Sequence, residues 1–294
     1  MRHVVILIAL LSALGLLVAA CGGDGDEPLI LGGQGIVPIP GNSELIVGPN
    51  RFALALLDEQ NSAILEEPGI SVHLRFLYQD EVRNEQDARF TWAIPDASGF
   101  FTADVDFDEA GQWEVEAVLS RDGEETVVSF SFPVRSESQL PNVGDPAPPS
   151  ANLTLAQEPN ISRLSTDQEP EPALYELTIA EAIETGQPLV VIFATPAFCQ
   201  TRFCGPMVDN VKEVRQEYID QVNFIHIEPF ELDDDSRLVT SEDGGPIVAP
   251  TMLEWRLQSE PWVFVVGADG RITARFEGAA SPSELRQAIQ QTLS

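Results

Sequence analysis

Two cysteines close together in the second half of the chain could perform thiol chemistry. Cys199 and Cys204 are separated by four residues and follow the apolar run 189–193. A cysteine at the N-terminus of a helix meets unpaired backbone N–H groups and the positive end of the helix dipole, which stabilise its thiolate. Such a thiolate attacks a disulfide, and a second cysteine within reach resolves the mixed disulfide. Cys199 is therefore the expected nucleophile and Cys204 the expected resolving thiol.

The remaining cysteine, Cys21, directly follows an apolar N-terminal run. This run, residues 4–18, is too short to cross a bilayer, and two glycines and an aspartate come after Cys21, as expected for a signal peptide. The tetrapeptide Val18-Ala19-Ala20-Cys21 resembles the lipobox of bacterial lipoproteins. This resemblance implies cleavage before Cys21, lipid on its thiol, and an extracytoplasmic protein that is lipid-anchored to the cell membrane.

Export and net charge limit the partners that the chain can have. Exported proteins work where thiols tend to be oxidised, and Cys21 is expected to carry lipid, so Cys199 and Cys204 have only each other to pair with. The formal net charge of −31 would repel phosphate backbones, and nucleic acid is therefore not an expected partner. The expected partners are exported cysteine-containing proteins or a redox partner, together with the membrane that holds the lipid anchor.

Residues 44–134 carry the period-two alternation of antiparallel strands that bury one face. The clearest alternating segments are 52–56, 72–76, 102–107, 113–118 and 127–132. The pattern predicts an all-β sandwich. Within it, the run Gly99-Phe100-Phe101-Thr102-Ala103, followed by Phe107, Ala110-Gly111 and Trp113, resembles small immunoglobulin-like modules of exported bacterial proteins.

The region after residue 173 alternates helix and strand. Thr178 and Glu181 form a capping box that opens a helix, and the apolar run 189–193 predicts a strand buried on both faces. Hydrophobic periodicity and turn signals then predict, in order, a helix at 207–220, a strand at 222–227, a hairpin of strands 262–266 and 272–276, and a final helix capped by Ser281. The order of these elements predicts an α/β domain.

Three separated motifs of this region resemble the thioredoxin-like superfamily, which includes TlpA-like thiol reductases and peroxiredoxins. They are Val143-Gly144-Asp145-Pro146-Ala147-Pro148, Phe193-Ala194-Thr195-Pro196-Ala197-Phe198-Cys199, and Glu260-Pro261. The resemblance implies a thioredoxin-like fold, a redox-active Cys199 and Cys204 pair that needs no cofactor, and a cis proline that faces the dithiol. Glu260 and Pro261 would then present backbone to a substrate peptide beside Cys199.

The spacing of the cysteines departs from the thioredoxin pattern, which has two residues between them. On an ideal helix, Cα atoms five residues apart lie about 8–9 Å from each other, beyond the roughly 7 Å limit for a disulfide. We therefore expect an irregular first turn, with Gly205-Pro206 as its source. The four-residue spacing also resembles that of Q-type peroxiredoxins, and a thiol peroxidase is thus the alternative activity. The run Phe203-Cys204-Gly205-Pro206-Met207 resembles the thioredoxin motif in another register, but that register leaves Cys199 without a role.

His226 lies in the strand after the cysteine helix and is the last candidate for chemistry. It could relay a proton to the resolving thiol, or bind copper with the two cysteines as in Sco-type proteins, which resemble this fold. An ordinary strand histidine is the simpler interpretation, and no metal site is expected. The buried acid of thioredoxins has no expected counterpart, because Ile192 and Phe193 fill the strand positions that could hold it.

The chain therefore divides into five predicted segments. These are a lipoprotein signal peptide at 1–20, a flexible tether at 21–42, an immunoglobulin-like β-sandwich at 43–135, a linker and lead-in segment at 136–173, and a thioredoxin-like domain at 174–294. Two classes of function remain open. The chain is either a membrane-anchored thiol–disulfide oxidoreductase, or a binding and scaffold lipoprotein in which the cysteines form a structural disulfide.

Overall fold

The structure is a computed structural model of the chain that describes residues 30–31, 35–94, 96–199 and 202–294. The predicted signal peptide, the lipidation site Cys21 and the first part of the tether lie outside the described residues. No helix among the residues that the structure describes is both long and apolar enough to cross a membrane.

The first region of the chain is a pair of antiparallel sheets. Its strands are β1 (Ile30–Leu31), β2 (Val37–Pro40), β3 (Gly48–Leu57), β4 (Ile70–Tyr78), β5 (Glu81–Asp87), β6 (Arg89–Ile94), β7 (Ser98–Phe107), β8 (Gly111–Arg121) and β9 (Glu124–Val134). One sheet has the order β1-β9-β8-β4-β5 and the other the order β2-β3-β7-β6. The all-β sandwich predicted from the alternation is confirmed, and the alternation missed only the shorter or less regular strands.

The interior of the sandwich is an aromatic cluster supplied by both sheets. Along β8 every second side chain from Trp113 to Leu119 is buried, as a strand with one core face requires. Phe52 and Phe107 of one sheet contact Phe76 of the other in edge-to-face geometry, with ring centroids 5.0 and 5.7 Å apart. These pairs hold the two sheets face to face.

The second region is a four-stranded mixed sheet with helices on both faces. Its elements are α1 (Ile179–Glu184), β10 (Leu189–Phe193), α2 (Cys204–Tyr218), β11 (Asn223–Ile227), α3 (Pro250–Glu254), β12 (Trp262–Val266), β13 (Ile272–Glu277) and α4 (Pro282–Leu293). The sheet order is β11-β10-β12-β13, and only β10 and β11 run parallel. This is the predicted α/β domain with its thioredoxin-like order of elements.

Strand β10 is the centre of this domain because it is buried on both faces. Val190 and Ile192 pack into the core cluster that contains α2 and α4, whereas Leu189, Val191 and Phe193 pack into the cluster that contains α1 and α3. The strand therefore ends between two helix layers, and the loop that follows it emerges at the edge of the sheet.

The segment 136–173, predicted as linker and lead-in, packs against the α/β domain for much of its length. The backbone N–H of Gly144 donates to Ile272 O, and that of Ile272 donates to Asp145 O, so the segment extends the sheet beyond β13. Ala147 and Leu164 are buried in the two core clusters. The segment also contains a 3-10 helix at Ile161–Arg163, and a second 3-10 helix, Pro172–Tyr175, begins in its last two residues.

The sandwich and the α/β domain dock through a small apolar cluster surrounded by ion pairs. Ala53, Ala93 and Phe100 of the sandwich pack against Ala279, with Phe203 partly buried beside them. Arg51 Nε pairs with Glu284 at 2.9 Å across the same boundary. The two domains therefore meet close to the start of α2, where the cysteines lie.

Candidate functional site

Cys199 and Cys204 form a disulfide at the loop between β10 and α2. Their Cα atoms are 5.9 Å apart, within the range that a disulfide requires. Cys204 is the first residue of α2 and is fully buried, whereas Cys199 lies in the loop and is partly exposed. Of the two cysteines, Cys199 is therefore the more accessible residue.

The origin of the short Cα distance differs from the expected one. Gly205 and Pro206 do not disturb the helix, because they lie within its first turn. Backbone N–H groups in the first turn have no partner within the helix, so a proline there removes no hydrogen bond. The chain instead turns before the helix, where Arg202 adopts a positive φ of 65°. The helix begins three residues earlier than predicted, so only Cys204 belongs to it.

The start of α2 nevertheless faces the Cys199 sulfur. The backbone N–H of Cys204 donates to Cys199 Sγ at 3.2 Å. The first amides of a helix have no partner within the helix, and they carry the positive end of its dipole. This contact stabilises negative charge on Cys199 Sγ when the disulfide opens, which is the electrostatic requirement for a nucleophilic thiolate.

Glu260 and Pro261 lie beside the disulfide, and the peptide bond between them is cis. The Glu260 carboxyl oxygen and the two cysteine sulfurs all lie within 4.8 Å of one another. Partial burial raises the pKa of the Glu260 carboxyl above its ordinary value. The structure thus places four of the predicted site residues together, with a carboxyl group next to both sulfurs.

Among the residues that the structure describes, the side chains of Cys199, Cys204 and Glu260 form a group whose ligand atoms lie close enough together to hold a metal ion. Two thiolates and one carboxylate suit a thiophilic cation such as Zn²⁺. The thiolates exist only after the disulfide is reduced, so this ligand set competes directly with thiol–disulfide exchange.

A buried acid that the sequence did not reveal lies behind the cysteine loop. Glu228 follows β11 and is 6% exposed. Its Oε2 accepts from Thr166 N at 3.0 Å and from Thr166 Oγ1 at 2.9 Å, and Thr166 Oγ1 accepts from Ala197 N at 3.1 Å. Ala197 is two residues before Cys199, so a buried acid is linked to the cysteine loop from the end of β11, while Ile192 and Phe193 fill the strand positions of β10 as expected.

Burial raises the pKa of Glu228 to about 7. Hydrogen bonding to Thr166 and the nearby Thr195 hydroxyl oppose this rise, and the charge of Glu260 adds to it. Among the described residues, neither Thr195 Oγ1 nor Glu228 Oε1 completes a hydrogen bond of ordinary geometry. One feature of the sequence could have identified Glu228 as a candidate. Parallel strands end at the same edge of a sheet, and Glu228 directly follows the strand that runs parallel to β10.

His226 has its ring nitrogens directed to groups other than the cysteines. Nε2 lies 2.8 Å from Ala194 O and must donate to it, which leaves Nδ1 to accept from the Tyr175 hydroxyl at 2.7 Å. Burial lowers the pKa of His226 to about 4, so the ring is neutral at neutral pH. These contacts are those of a satisfied strand histidine, and the relay and copper-binding roles stay predictions without a contact to support them.

Comparison with known proteins agrees with the fold of the second domain. Residues 175–293 match the family of thioredoxin-like domains, and this part of the chain is therefore a thioredoxin-like domain. No curated protein matches the sequence.

Two solved structures are similar to parts of the chain. A thiol:disulfide interchange protein of the thioredoxin family from Chlorobium tepidum TLS is 13% identical, covering 54% of this chain and 100% of its own, with a TM-score of 0.33. The soluble domain of PmoD from Methylocystis sp. ATCC 49242 (Rockwell) is 17% identical, covering 37% of this chain and 99% of its own, with a TM-score of 0.23. Both likenesses are weak, and the domain assignment stands on the family match and on the strand order.

The opposite pKa shifts of Glu228 and His226 predict how stability depends on pH. The pKa of Glu228 is about 7 in the folded chain and about 4.5 in the unfolded chain. The folded chain therefore binds this proton more tightly, which contributes stability below about pH 4.5. This contribution is lost as the pH rises from 4.5 to 7. The pKa of His226 is about 4 in the folded chain and about 6.5 in the unfolded chain. The contribution of the neutral ring to stability is therefore present above pH 6.5 and is lost as the pH falls to 4. The two slopes cancel between about pH 4.5 and 6.5.

In Glu228→Gln the slope from His226 is no longer offset by Glu228. Between pH 6.5 and 4.5 the free energy of unfolding of this variant should therefore fall by about 2–3 kcal/mol more than that of the wild type. Urea unfolding at a series of pH values measures this difference. Glu231→Gln, which alters an exposed carboxyl three residues away, serves as the control and should keep the wild-type profile. Identical profiles for Glu228→Gln and the wild type would show that Glu228 is not protonated in the fold at neutral pH.

The Glu260 carboxyl predicts a measurable effect on the reduced site. When ionised, it repels a thiolate on either cysteine, so Glu260→Gln should raise the rate of Cys199 alkylation by iodoacetamide at pH 7 by about two- to fivefold. Rates are measured after reduction, with mass spectrometry to assign the alkylated cysteine. Glu254→Gln, an exposed substitution on α3, is the matched control. An unchanged or slower rate in Glu260→Gln would contradict the predicted repulsion.

Proposed function

We propose that this protein is a thiol–disulfide oxidoreductase in which Cys199 is the nucleophile and Cys204 the resolving thiol. The observation that carries the proposal is the asymmetry of the disulfide. Cys199 is the partly exposed residue of the pair, and its Sγ receives the first amide of α2, whereas Cys204 is fully buried. An exchange reaction needs this division between an attacking thiol and a protected resolving thiol.

The reaction follows from this division. In the reducing direction, the Cys199 thiolate attacks one sulfur of a substrate disulfide, the substrate S–S bond breaks, and the departing substrate thiolate takes up a proton. Cys204 then loses its proton and attacks Cys199 Sγ, which re-forms the internal disulfide and releases the second substrate thiol. The substrate gains two electrons and two protons. Both electrons come from the cysteine pair, one proton comes from Cys204, and the other replaces the proton that Cys199 released to solvent when it formed its thiolate. The same steps in reverse oxidise a substrate dithiol, and the difference in reduction potential sets the direction.

The buried Cys204 thiol needs a proton acceptor before it can attack. The Glu260 carboxyl lies within 4.8 Å of both sulfurs, and its raised pKa brings it closer to neutral pH. We assign it the role of accepting this proton. Glu228, with a pKa of about 7, is a second acid behind the loop, and a cavity of about 290 Å³ bordered by Glu228, His226 and Tyr175 offers it access to water. Glu260 and Pro261 would also line the binding site of a substrate peptide beside Cys199.

The location of this activity is proposed from the N-terminal sequence. The lipobox-like Val18-Ala19-Ala20-Cys21 supports a lipid anchor that holds the protein at the extracytoplasmic face of a membrane. A disulfide between Cys199 and Cys204 is compatible with such a compartment. The substrates would be exported proteins that contain cysteines, or a redox partner protein.

The cysteine roles predict different behaviour of the two serine variants in the full chain. Cys204→Ser should form a mixed disulfide with insulin or oxidised glutathione that dithiothreitol reverses, because its nucleophile remains and its resolving thiol is gone. Cys199→Ser should form at least tenfold less, because Cys204 is buried. Mass spectrometry of the adducts measures both.

Redox titration of the wild type in glutathione buffers separates the enzyme from the scaffold. An exchanging disulfide has a midpoint well above the roughly −300 mV below which structural disulfides persist. A lower midpoint, with no adduct in Cys204→Ser, would leave the cysteines as a structural staple. Rapid sulfenic acid formation at Cys199 with hydrogen peroxide, faster than exchange with disulfides, would replace the proposal by a thiol peroxidase.

The proposed anchor predicts that Cys21 determines where the protein is found in the cell. The wild type should sediment with membranes and incorporate labelled palmitate, whereas Cys21→Ser should incorporate none and should keep its signal peptide, which raises its mass. Cell fractionation and intact-protein mass spectrometry test both statements. If Cys21→Ser is processed like the wild type, Cys21 is not the site of lipidation.

A further inference from the structure

One side chain of the sandwich points away from the sandwich interior and towards the redox domain. Phe100 lies on β7 and is 7% exposed. It packs in the interdomain cluster with Ala53, Ala93 and Ala279, whereas its neighbour Phe101 packs in the sandwich core. The alternation of β7 therefore presents Phe100 to the α/β domain.

Phe100 lies close to two segments of the α/β domain near the redox site. Its ring centroid lies 5.1 Å from that of Phe203 in edge-to-face geometry, and Phe203 is the residue directly before Cys204. The Phe100 ring is also near Gly278, since a Cβ built on this glycine would lie 3.8 Å from the ring. The backbone N–H of Gly278 donates to Pro261 O at 2.9 Å, so this second segment is bonded to the cis proline.

Ion pairs hold Phe100 in this position by fixing the two domains together. Arg51 of the sandwich bonds with Glu284 at the start of α4 and donates through Nη2 to Ala279 O at 2.8 Å. Glu44, before the first long strand of the sandwich, pairs with Arg275 at 3.3 Å, and the Glu44 side chain is 5% exposed. Buried, hydrogen-bonded pairs of this kind specify a single geometry of contact.

The contact with Phe203 bears on the electrostatics of the redox site. Phe203 O accepts from Met207 N at 2.9 Å in the first turn of α2, and the next amide along the chain, that of Cys204, donates to Cys199 Sγ. A hydrogen bond to a thiolate weakens steeply when its donor moves or tilts. The position of the Phe203 ring therefore affects the group that stabilises charge on Cys199.

We propose that Phe100 is a positioning residue of the redox site, through which the sandwich domain holds the start of α2 against Cys199. The sandwich is then a built-in part of the redox centre, in addition to any other role it has. The positioning role concerns the reactivity of the Cys199 thiol. It rests on the proposed function only where a change in this reactivity alters exchange with substrate disulfides.

Full-length Phe100→Ala tests the proposal. Loss of the ring frees Phe203, weakens the amide contact to Cys199 and lowers the thiolate fraction at a given pH. Alkylation of Cys199 at pH 7 should therefore slow by about three- to tenfold, and the midpoint of its pH profile should move upward. Phe100→Leu, which keeps an apolar side chain at the interface, should recover most of the wild-type rate.

Two further variants make the result specific to the contact. Phe90→Ala removes a half-buried ring from the adjacent strand β6 that packs into the sandwich core, and it should leave the alkylation profile of Cys199 unchanged. Phe203→Ala should shift the profile as Phe100→Ala does, and the double variant should shift it no further, because both changes remove the same contact. Circular dichroism confirms that each variant is folded.

The proposal is overturned if Phe100→Ala keeps the wild-type profile, if Phe90→Ala slows alkylation equally, or if the effects of Phe100→Ala and Phe203→Ala add. Iodoacetamide needs no protein substrate, so this experiment is independent of the proposed exchange reaction. A shifted profile in a protein that forms no mixed disulfides would reject the proposed function and keep the positioning role.

Discussion

The contact between the Cys204 backbone N–H and Cys199 Sγ is the interaction on which the redox site depends. Two cysteines five residues apart are too distant for a disulfide along a regular helix. The chain meets this constraint by placing Cys199 in the preceding loop and turning at Arg202, so that its sulfur lies over the first amide of α2. The same geometry that closes the disulfide thus supplies the dipole that stabilises a thiolate when the disulfide opens.

Two carboxyl groups set the proton chemistry around this contact, and they differ in their surroundings. Glu260 is beside both sulfurs and partly open to solvent, whereas Glu228 is enclosed behind the loop and connected to it through Thr166. Burial raises the pKa of both, and the charge of Glu260 raises the pKa of Glu228 further. A reduced site with two ionised carboxyls and a thiolate would hold uncompensated negative charge, so protons must move when electrons do.

The sandwich domain contributes to this site because of where it docks. Its aromatic core makes it a stable body in itself, and the ion pairs of Arg51 and Glu44 fix its orientation. Phe100 then reaches the start of α2 and lies close to Gly278, which is bonded to Pro261. A domain joined through the segment 136–173 can in this way influence a reactive group that none of its own residues provides.

Local patterns in the sequence were sufficient for most of the long elements of both domains. Alternation at 113–118, the apolar run of β10 and the capping boxes at Thr178 and Ser281 act over a few residues, so they could be recognised without a structure. The pairing of Cys199 with Cys204 was predicted from the expected export of the chain, and the thioredoxin-like fold from the resemblance of three separated motifs. Tertiary structure alone decided the role of Glu228, the partners of His226 and the contact of Phe100 with Phe203. Burial, a pKa shift and a contact between domains depend on residues that are distant in the chain and meet only when it folds.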